Sequence, residues 1–172
     1  MNGDLERATP ETSNWEPWLV QYAPRLLLFA RQQSRREADA QDLVQEAVLD
    51  CWRRRPGPQP PPLALVFATI RRRAVDLARS AGRRANREAA ALDELPPCWF
   101  DSSPEERERA RLLEQAMRAL PAIYREAVTL KLWGGLTFVE MAEALQIPPN
   151  TAASRYRYGI LELRKLTRDT LA

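Results

Sequence analysis

The sequence predicts an all-α protein: two small helical domains joined by a linker, the second containing a helix-turn-helix. Three observations lead there. Apolar residues recur at three- and four-residue spacing through most of the chain, the period of a helix that buries one face. No run of alternating polar and apolar residues is long enough for a sheet. Between two such periodic blocks the pattern fades into "ANREAAALDELPPCWFDSSPEE".

Trp15, Trp18, Leu19, Tyr22, Leu26 and Phe29 make the first apolar stripe, and Pro24 within it is expected to start a new helix because it has no amide hydrogen. Leu43, Val44, Ala47, Val48, Cys51 and Trp52 make a second stripe; Phe67, Ile70, Ala74, Leu77 and Ala81 make a third. The intervening "RRRPGPQPPPLA" cannot be regular structure, since proline fixes φ and donates nothing. The first block is therefore a three- or four-helix unit, residues 1–84. Residues 85–103 read as an acidic linker and 104–172 as the second domain. The alternative is one continuous bundle, with Trp99 and Phe100 docking the linker onto either half.

In the second block, Ser103 and Glu106 form a capping box and Pro104 suits the first helical position. That helix turns Leu112, Leu113, Ala116, Met117 and Leu120 inward. Pro121 opens the next, which runs to Trp133 with Ile123, Ala127, Leu130 and Leu132 among its apolar positions, and Gly134–Gly135 ends it. Thr137 and Glu140 make another capping box, starting a short helix with Phe138, Met141, Ala142 and Leu145. Pro148 forces Ile147 out of helical geometry, and Pro149 is placed to begin the next helix. Helix, tight turn, helix is the arrangement that lays a second helix in the DNA major groove. On that second helix Ala152, Tyr156, Gly159, Ile160 and Leu163 follow one stripe toward the core. Ala153, Ser154, Arg157 and Tyr158 fall largely elsewhere, where small residues allow close approach and arginine can meet guanine or phosphate. Gly159 fits a close helix contact. An ordinary helical hairpin with a solvated arginine face is the competing reading.

The 172 residues, 45% hydrophobic, suffice for one modest domain or two small ones. Net charge is only +3, yet it is unevenly spread. Arg71 to Arg87 holds seven arginines against Asp76, a net +6. Glu88 to Glu108 holds seven acids against Arg107, a net −6. The tail from Asn150 carries five bases against Glu162 and Asp169. Two basic patches flanking an acidic connector could grip a polyanion at two places; solvated faces are the plainer alternative.

Several function classes lack support. There is no glycine-rich phosphate loop, no histidine for metal or general-base work, and no metal spacing between Cys51 and Cys98, which are expected to stay reduced. No catalytic residue, metal or cofactor is expected. No apolar run approaches the roughly 20 residues that cross a bilayer. "MNGDLERATPETSNW" is acidic and polar, unlike a signal peptide. The expectation is a soluble cytoplasmic protein that is not an enzyme and does not engage membranes.

"LPAIYREAVTLKLWGGLTFVEMAEALQIPPNTAASRYRYGILELRKL" resembles region four of bacterial RNA polymerase sigma factors, especially the extracytoplasmic-function group. "YAPRLLLFARQQSRREADAQDLVQEAVLDCWRR" resembles region two, with "DAQDLVQEA" its most specific part, and "FATIRRRAVDLARSAGRR" resembles the helix that follows. Both lie in the family's order across nearly the whole chain. The resemblance implies a promoter-specificity subunit that binds core RNA polymerase through its β′ and β subunits, contacts promoter DNA at the minus-ten and minus-thirty-five elements, and is open to control by an anti-sigma factor. For polymerase binding it implies Asp39, Asp42, Leu43, Gln45 and Glu46. Asp42, Gln45 and Glu46, at i, i+3 and i+4, share a helix face that suits the basic coiled coil of β′, while Leu43 and Ala47 turn elsewhere. For the minus-ten region it implies Arg71, Arg72, Arg73, Arg79, Arg83 and Arg84, a cationic surface for an exposed strand. For the minus-thirty-five element it implies Asn150, Thr151, Ala153, Ser154, Arg155, Arg157 and Tyr158.

Four positions depart from the family pattern: Arg72 stands where asparagine is common, the base-pocket loop is the proline-rich "RPGPQPPPLA", Pro148 replaces a capping serine, and Ala153 replaces a residue often basic. Unusual minus-ten specificity and less direct base contact at minus-thirty-five are the expected consequences. Two other functions use the same features: a stand-alone helix-turn-helix regulator, and a sigma-like decoy that occupies polymerase without initiating.

Overall fold

The computed structural model describes residues 14–85, 97–101 and 103–171. Its helices are α1 (Trp15–Gln33), α2 (Glu37–Arg54), α3 (Leu63–Ala85), α4 (Arg107–Ala119), α5 (Ala122–Leu132), α6 (Phe138–Leu145) and α7 (Pro149–Leu171). Among the described residues there is no strand.

Pro24 does not start a new helix; it lies inside α1. It is exposed, as is Val20, whose carbonyl loses its helical partner, so the missing hydrogen bond falls on the wet side. A second correction concerns α4. Glu106 reaches back to the Ser103 amide at 3.4 Å, but the Ser103 hydroxyl donates to that carboxylate instead of accepting from the backbone. Only half the box forms. Residues 104–106 are a turn, and the helix starts at Arg107. By contrast the box of Thr137 and Glu140 is complete.

The helix-turn-helix takes shape as its local chemistry dictates. Gly134 is packed so that a Cβ would sit 2.5 Å from the Leu130 carbonyl oxygen, and Gly135 takes φ 70°, which closes α5. Gln146 then ends α6 in the left-handed region, φ 55°, and Pro149 begins α7 three residues beyond it. Proline's fixed φ suits that first position.

Helices α1, α2 and α3 pack around Leu26, Phe29, Leu43, Ala47, Phe67 and Ile70. That core does not stop at the third helix. The same apolar cluster continues into Ala127 and Leu130 of α5, Met141, Ala144 and Leu145 of α6 and Ala152 of α7, with α6 packed directly against α3. A second cluster joins Leu28 of α1 to Met117, Leu120 and Val128 through Trp99. Trp99 is 4% exposed, lies under the guanidinium of Arg118 at 4.2 Å, and its amide donates to Glu114 at 3.0 Å. Arg31 of α1 donates to Asp101 at 3.1 Å. Residues 97–101 of the expected linker are thus seated between α1 and α4, while 86–96 lie outside the described residues. No described helix is long and apolar enough to cross a membrane.

Candidate nucleic-acid interface

The acidic face of α2 is built by spacing alone. Ala40, Leu43, Ala47 and Cys51 are buried on one side. That leaves Asp42, Gln45 and Glu46 exposed on the other, with Asp39 half-buried and held to Arg36 at 2.7 Å. Leu43, expected among the polymerase contacts, is only 4% exposed. Its side chain packs the α1–α3 core, so it cannot present a docking contact in this arrangement.

The arginines of α3 do not form the single cationic surface expected of them. Arg73 turns back onto α2, where it binds Asp50 at 2.6 Å and also Glu46. This guanidinium holds the Asp50 carboxyl below the usual aspartate range. Arg71 turns into the seam between the helical groups and donates to Glu126 of α5 at 3.0 Å. Arg72 and Arg79 remain exposed, Arg79 beside Asp76 at 3.9 Å. Arg83 and Arg84 lie on the last turns of α3, but their side chains fall outside the described residues. Arg71, Arg72 and Arg79, with Arg55, line one wall of a cleft of about 510 Å³ whose other wall includes Glu143 of α6 and Gln146 just after it.

At the start of α7 the division between faces is clean. Ala152 is fully buried, and Gly159 sits so close to α5 that a Cβ would lie 2.7 Å from Val128 Cγ2. Asn150, Arg157 and Tyr158 are exposed, and Thr151, Ala153, Ser154 and Arg155 are half-buried. Asn150, Ser154 and Arg157 are spaced by four and three residues and therefore share one face. Arg157 reaches Ser154 Oγ at 3.4 Å, which lays the guanidinium along that face. Ahead of it, Glu140 accepts from the Thr137 backbone amide at 2.7 Å, which holds its carboxyl below the ordinary glutamate range and fixes the entry to α6. The arrangement offers hydrogen-bond donors on a helix that can approach a groove closely. Among the described residues no cluster of acidic, cysteine or histidine side chains could hold a metal ion.

Sequence reasoning missed the residues of the seam. Glu126 is 6% exposed and accepts from Gln33 at 3.3 Å as well as from Arg71. Thr129 donates to Gln32 at 2.9 Å in a buried pair. One signal was available: Glu126 stands one turn before Leu130, next to Ala127, so a charge sits within the apolar stripe of α5.

Comparison with known proteins adds two family matches, Sigma-70 region 2 over residues 18–84 and Sigma-70, region 4 over residues 110–163. The chain is 33% identical over 132 residues to the ECF RNA polymerase sigma factor SigK of Mycobacterium sp. (strain KMS), covering 73% of this chain and 68% of that protein. It is 30% identical over 132 residues to SigK of Mycobacterium ulcerans (strain Agy99), covering 73% and 70%. Among solved structures, the sigma factor RpoE in complex with the anti-sigma factor NepR from Bartonella quintana has a similar fold, with TM-score 0.68 at 21% identity over 91% of this chain and 98% of that one. CnrH in complex with the cytosolic domain of CnrY gives 0.63 at 18% identity over 90% and 88%.

Proposed function

Since the chain belongs to the extracytoplasmic-function RNA polymerase sigma factors, which bind core polymerase and direct promoter-specific initiation, we propose how its residues divide that work. Residues 1–84 carry the polymerase and minus-ten contacts, 85–103 connect, and 104–172 carry the minus-thirty-five contact. Asp42, Gln45 and Glu46, with Asp39 at the edge, meet a basic surface of the β′ subunit; the second domain lies toward β. Arg72 and Arg79, with Arg71, Arg73, Arg83 and Arg84, serve the minus-ten strand. Asn150, Ser154 and Arg157 lead the minus-thirty-five contact, with Thr151, Ala153, Arg155 and Tyr158 around them. Bond-making chemistry belongs to the polymerase, and no cofactor enters.

One observation carries this assignment. The first turns of α7 bury Ala152 and Gly159 and leave Asn150, Ser154 and Arg157 outward, directly after a capped α6. One structural neighbour, RpoE, is bound to the anti-sigma factor NepR, and an anti-sigma protein is the regulator we infer for this chain too.

The test is run-off transcription with reconstituted core enzyme, beside a pull-down of core. Wild type should associate and initiate at defined start sites. The double variant Asp42→Ala, Gln45→Ala should lose core binding while its helical content is unchanged. Core affinity equal to wild type in that variant overturns the assignment of α2. Tight binding of purified chain to duplex without polymerase would instead favour a stand-alone regulator.

A further inference from the structure

We propose that the cleft between residues 98–101 and α4 is a binding site for a small phosphorylated aromatic ligand of the nucleotide class. None of its lining residues is among those assigned to polymerase or promoter, so the site is separate from both.

Helical spacing builds one wall. Arg107, Arg111, Gln115 and Arg118 recur at four, four and three residues, so they form one stripe of α4, turned away from the buried Ala116. Facing that stripe are Cys98, Phe100 and Asp101 of the connector, which the buried indole of Trp99 holds in place. The space between them is about 720 Å³, within the range of small-ligand sites and too small for a folded partner.

Charge decides which class of ligand fits. Five charged side chains line the cleft, and three are already matched. Arg118 donates to Glu114 at 2.6 Å and to the Pro97 carbonyl at 2.9 Å, while Asp101 accepts from Arg31 at 3.1 Å. Arg107 and Arg111 are exposed and have no carboxylate or carbonyl partner among the described residues. One turn apart, their Cβ atoms lie about 5–6 Å from each other, so both guanidiniums can close on one anionic group. Phosphate suits two such forks, because its several oxygens can accept from both at once.

The ring is the second requirement. Phe100 is half-buried and braced by Trp133, their centroids 5.4 Å apart. A ring held in this way is an ordered stacking surface, and every base has a π-face to lay on it. Ala110 adds apolar surface beside the two arginines, and the Gln115 amide offers both a donor and an acceptor to a heterocycle. Bound there, the ligand ties the connector to α4 and secures the seat of Trp99.

Cys98 makes occupancy readable, since it lines the cleft and is exposed while Cys51 is buried. The experiment uses the full chain with ATP as the probe. At ten times its dissociation constant a ligand leaves about one site in eleven free, so modification of Cys98 by a maleimide should slow about tenfold. Arg107→Gln with Arg111→Gln should abolish the protection, and because both side chains are exposed the fold is kept. Arg109→Gln, outside the cleft, should protect like wild type. Phe100→Leu should weaken ATP binding about fivefold or more, the loss of one stacked base. Adenosine or tripolyphosphate alone should each protect far less than ATP at equal concentration. No protection by millimolar ATP, or protection that survives in the double arginine variant, overturns the proposal. So does tripolyphosphate or oligo(dT) that matches ATP; the latter would make the stripe a contact for a DNA strand.

Discussion

The indole nitrogen of Trp15 donates to the Gly57 carbonyl at 3.1 Å, so the first turn of α1 holds the proline-rich loop that precedes α3. The Asn14 amide adds a second tie, to the Pro58 carbonyl at 3.2 Å. Trp15 also meets Trp18 edge-on at 6.0 Å, which keeps the ring in place. Trp15→Phe should retain the stacking and lose only the donor, about 0.5–1.5 kcal/mol for one hydrogen bond. The expected result is a melting temperature near wild type, faster proteolytic cleavage within residues 56–62, and altered minus-ten preference in run-off assays. Unchanged cleavage of that loop would show that it is held without Trp15.

Gly159 sets a contest between two effects. Alanine is favoured over glycine inside a helix by about 1 kcal/mol. Here, however, the new Cβ would meet Val128 Cγ2 at 2.7 Å and the Tyr124 carbonyl oxygen at 3.2 Å. Overpacking of a tight core costs roughly 1–3 kcal/mol, and a β-branched valine has little freedom to move aside. Gly159→Ala should therefore destabilise in denaturant melts. Combining it with Val128→Ala should show a favourable coupling energy in a double-mutant cycle. A stabilised single variant would contradict the close approach of α7 to α5.

Acid should loosen the fold through three carboxyls. The Asp50 carboxyl is lowered mainly by its hydrogen bond from Arg73, Glu37 by that from Arg31, and Glu140 by the backbone amide of Thr137. Each folded value lies below its unfolded one. The stability they contribute is therefore present above about pH 4–4.5, the ordinary carboxyl range, and is lost as pH falls through the lowered folded values. Arg73→Gln should flatten this decline by about 1 kcal/mol or less, given partly exposed partners. Chemical denaturation at pH 7 and at successively lower pH measures it; identical acid limbs would remove Asp50 from the account.

Thr137→Ala should lower the stability of the helix-turn-helix by about 1 kcal/mol, the usual worth of a lost N-cap. The Thr137 hydroxyl accepts from the Glu140 amide at 3.3 Å, and the Glu140 carboxylate returns a bond to the Thr137 amide. Removing the hydroxyl also relieves part of the depression of the Glu140 pKa. Thermal melts and carboxyl titration by NMR read the two effects. Loss of neither would mean the box is dispensable.

What the sequence made legible was chiefly what short-range chemistry decides. The Thr137–Glu140 box, the glycine pair after α5, Pro149 at the start of α7 and the buried stripe of Ala152 and Gly159 all follow from local rules, and all stand in the structure. Pro24 misled, because a long helix tolerates one missing bond on its wet face. Ser103 misled because the first turn after Pro104 closes as an isolated turn. The fates of Arg71 and Arg73 were not legible at all. Both belong to one cationic run, yet one is drawn to Glu126, 55 positions away, and the other to Asp50, 23 positions back. Tertiary partners so distant leave no mark on periodicity.

The seat of Trp99 sets a limit on promoter geometry. From Ala85, where α3 ends, to Pro97 there are twelve peptide steps. Fully drawn out at about 3.3–3.6 Å per residue, they cover roughly 40–43 Å. Elements some 16 base pairs apart stand about 54 Å from one another. With the indole lodged against Met117 and Arg118 the leash falls short of even that separation. Once it slips free, the whole of 85–103 pays out to about 63–68 Å. Whether one aromatic ring keeps its seat would therefore decide how wide a gap the chain can bridge.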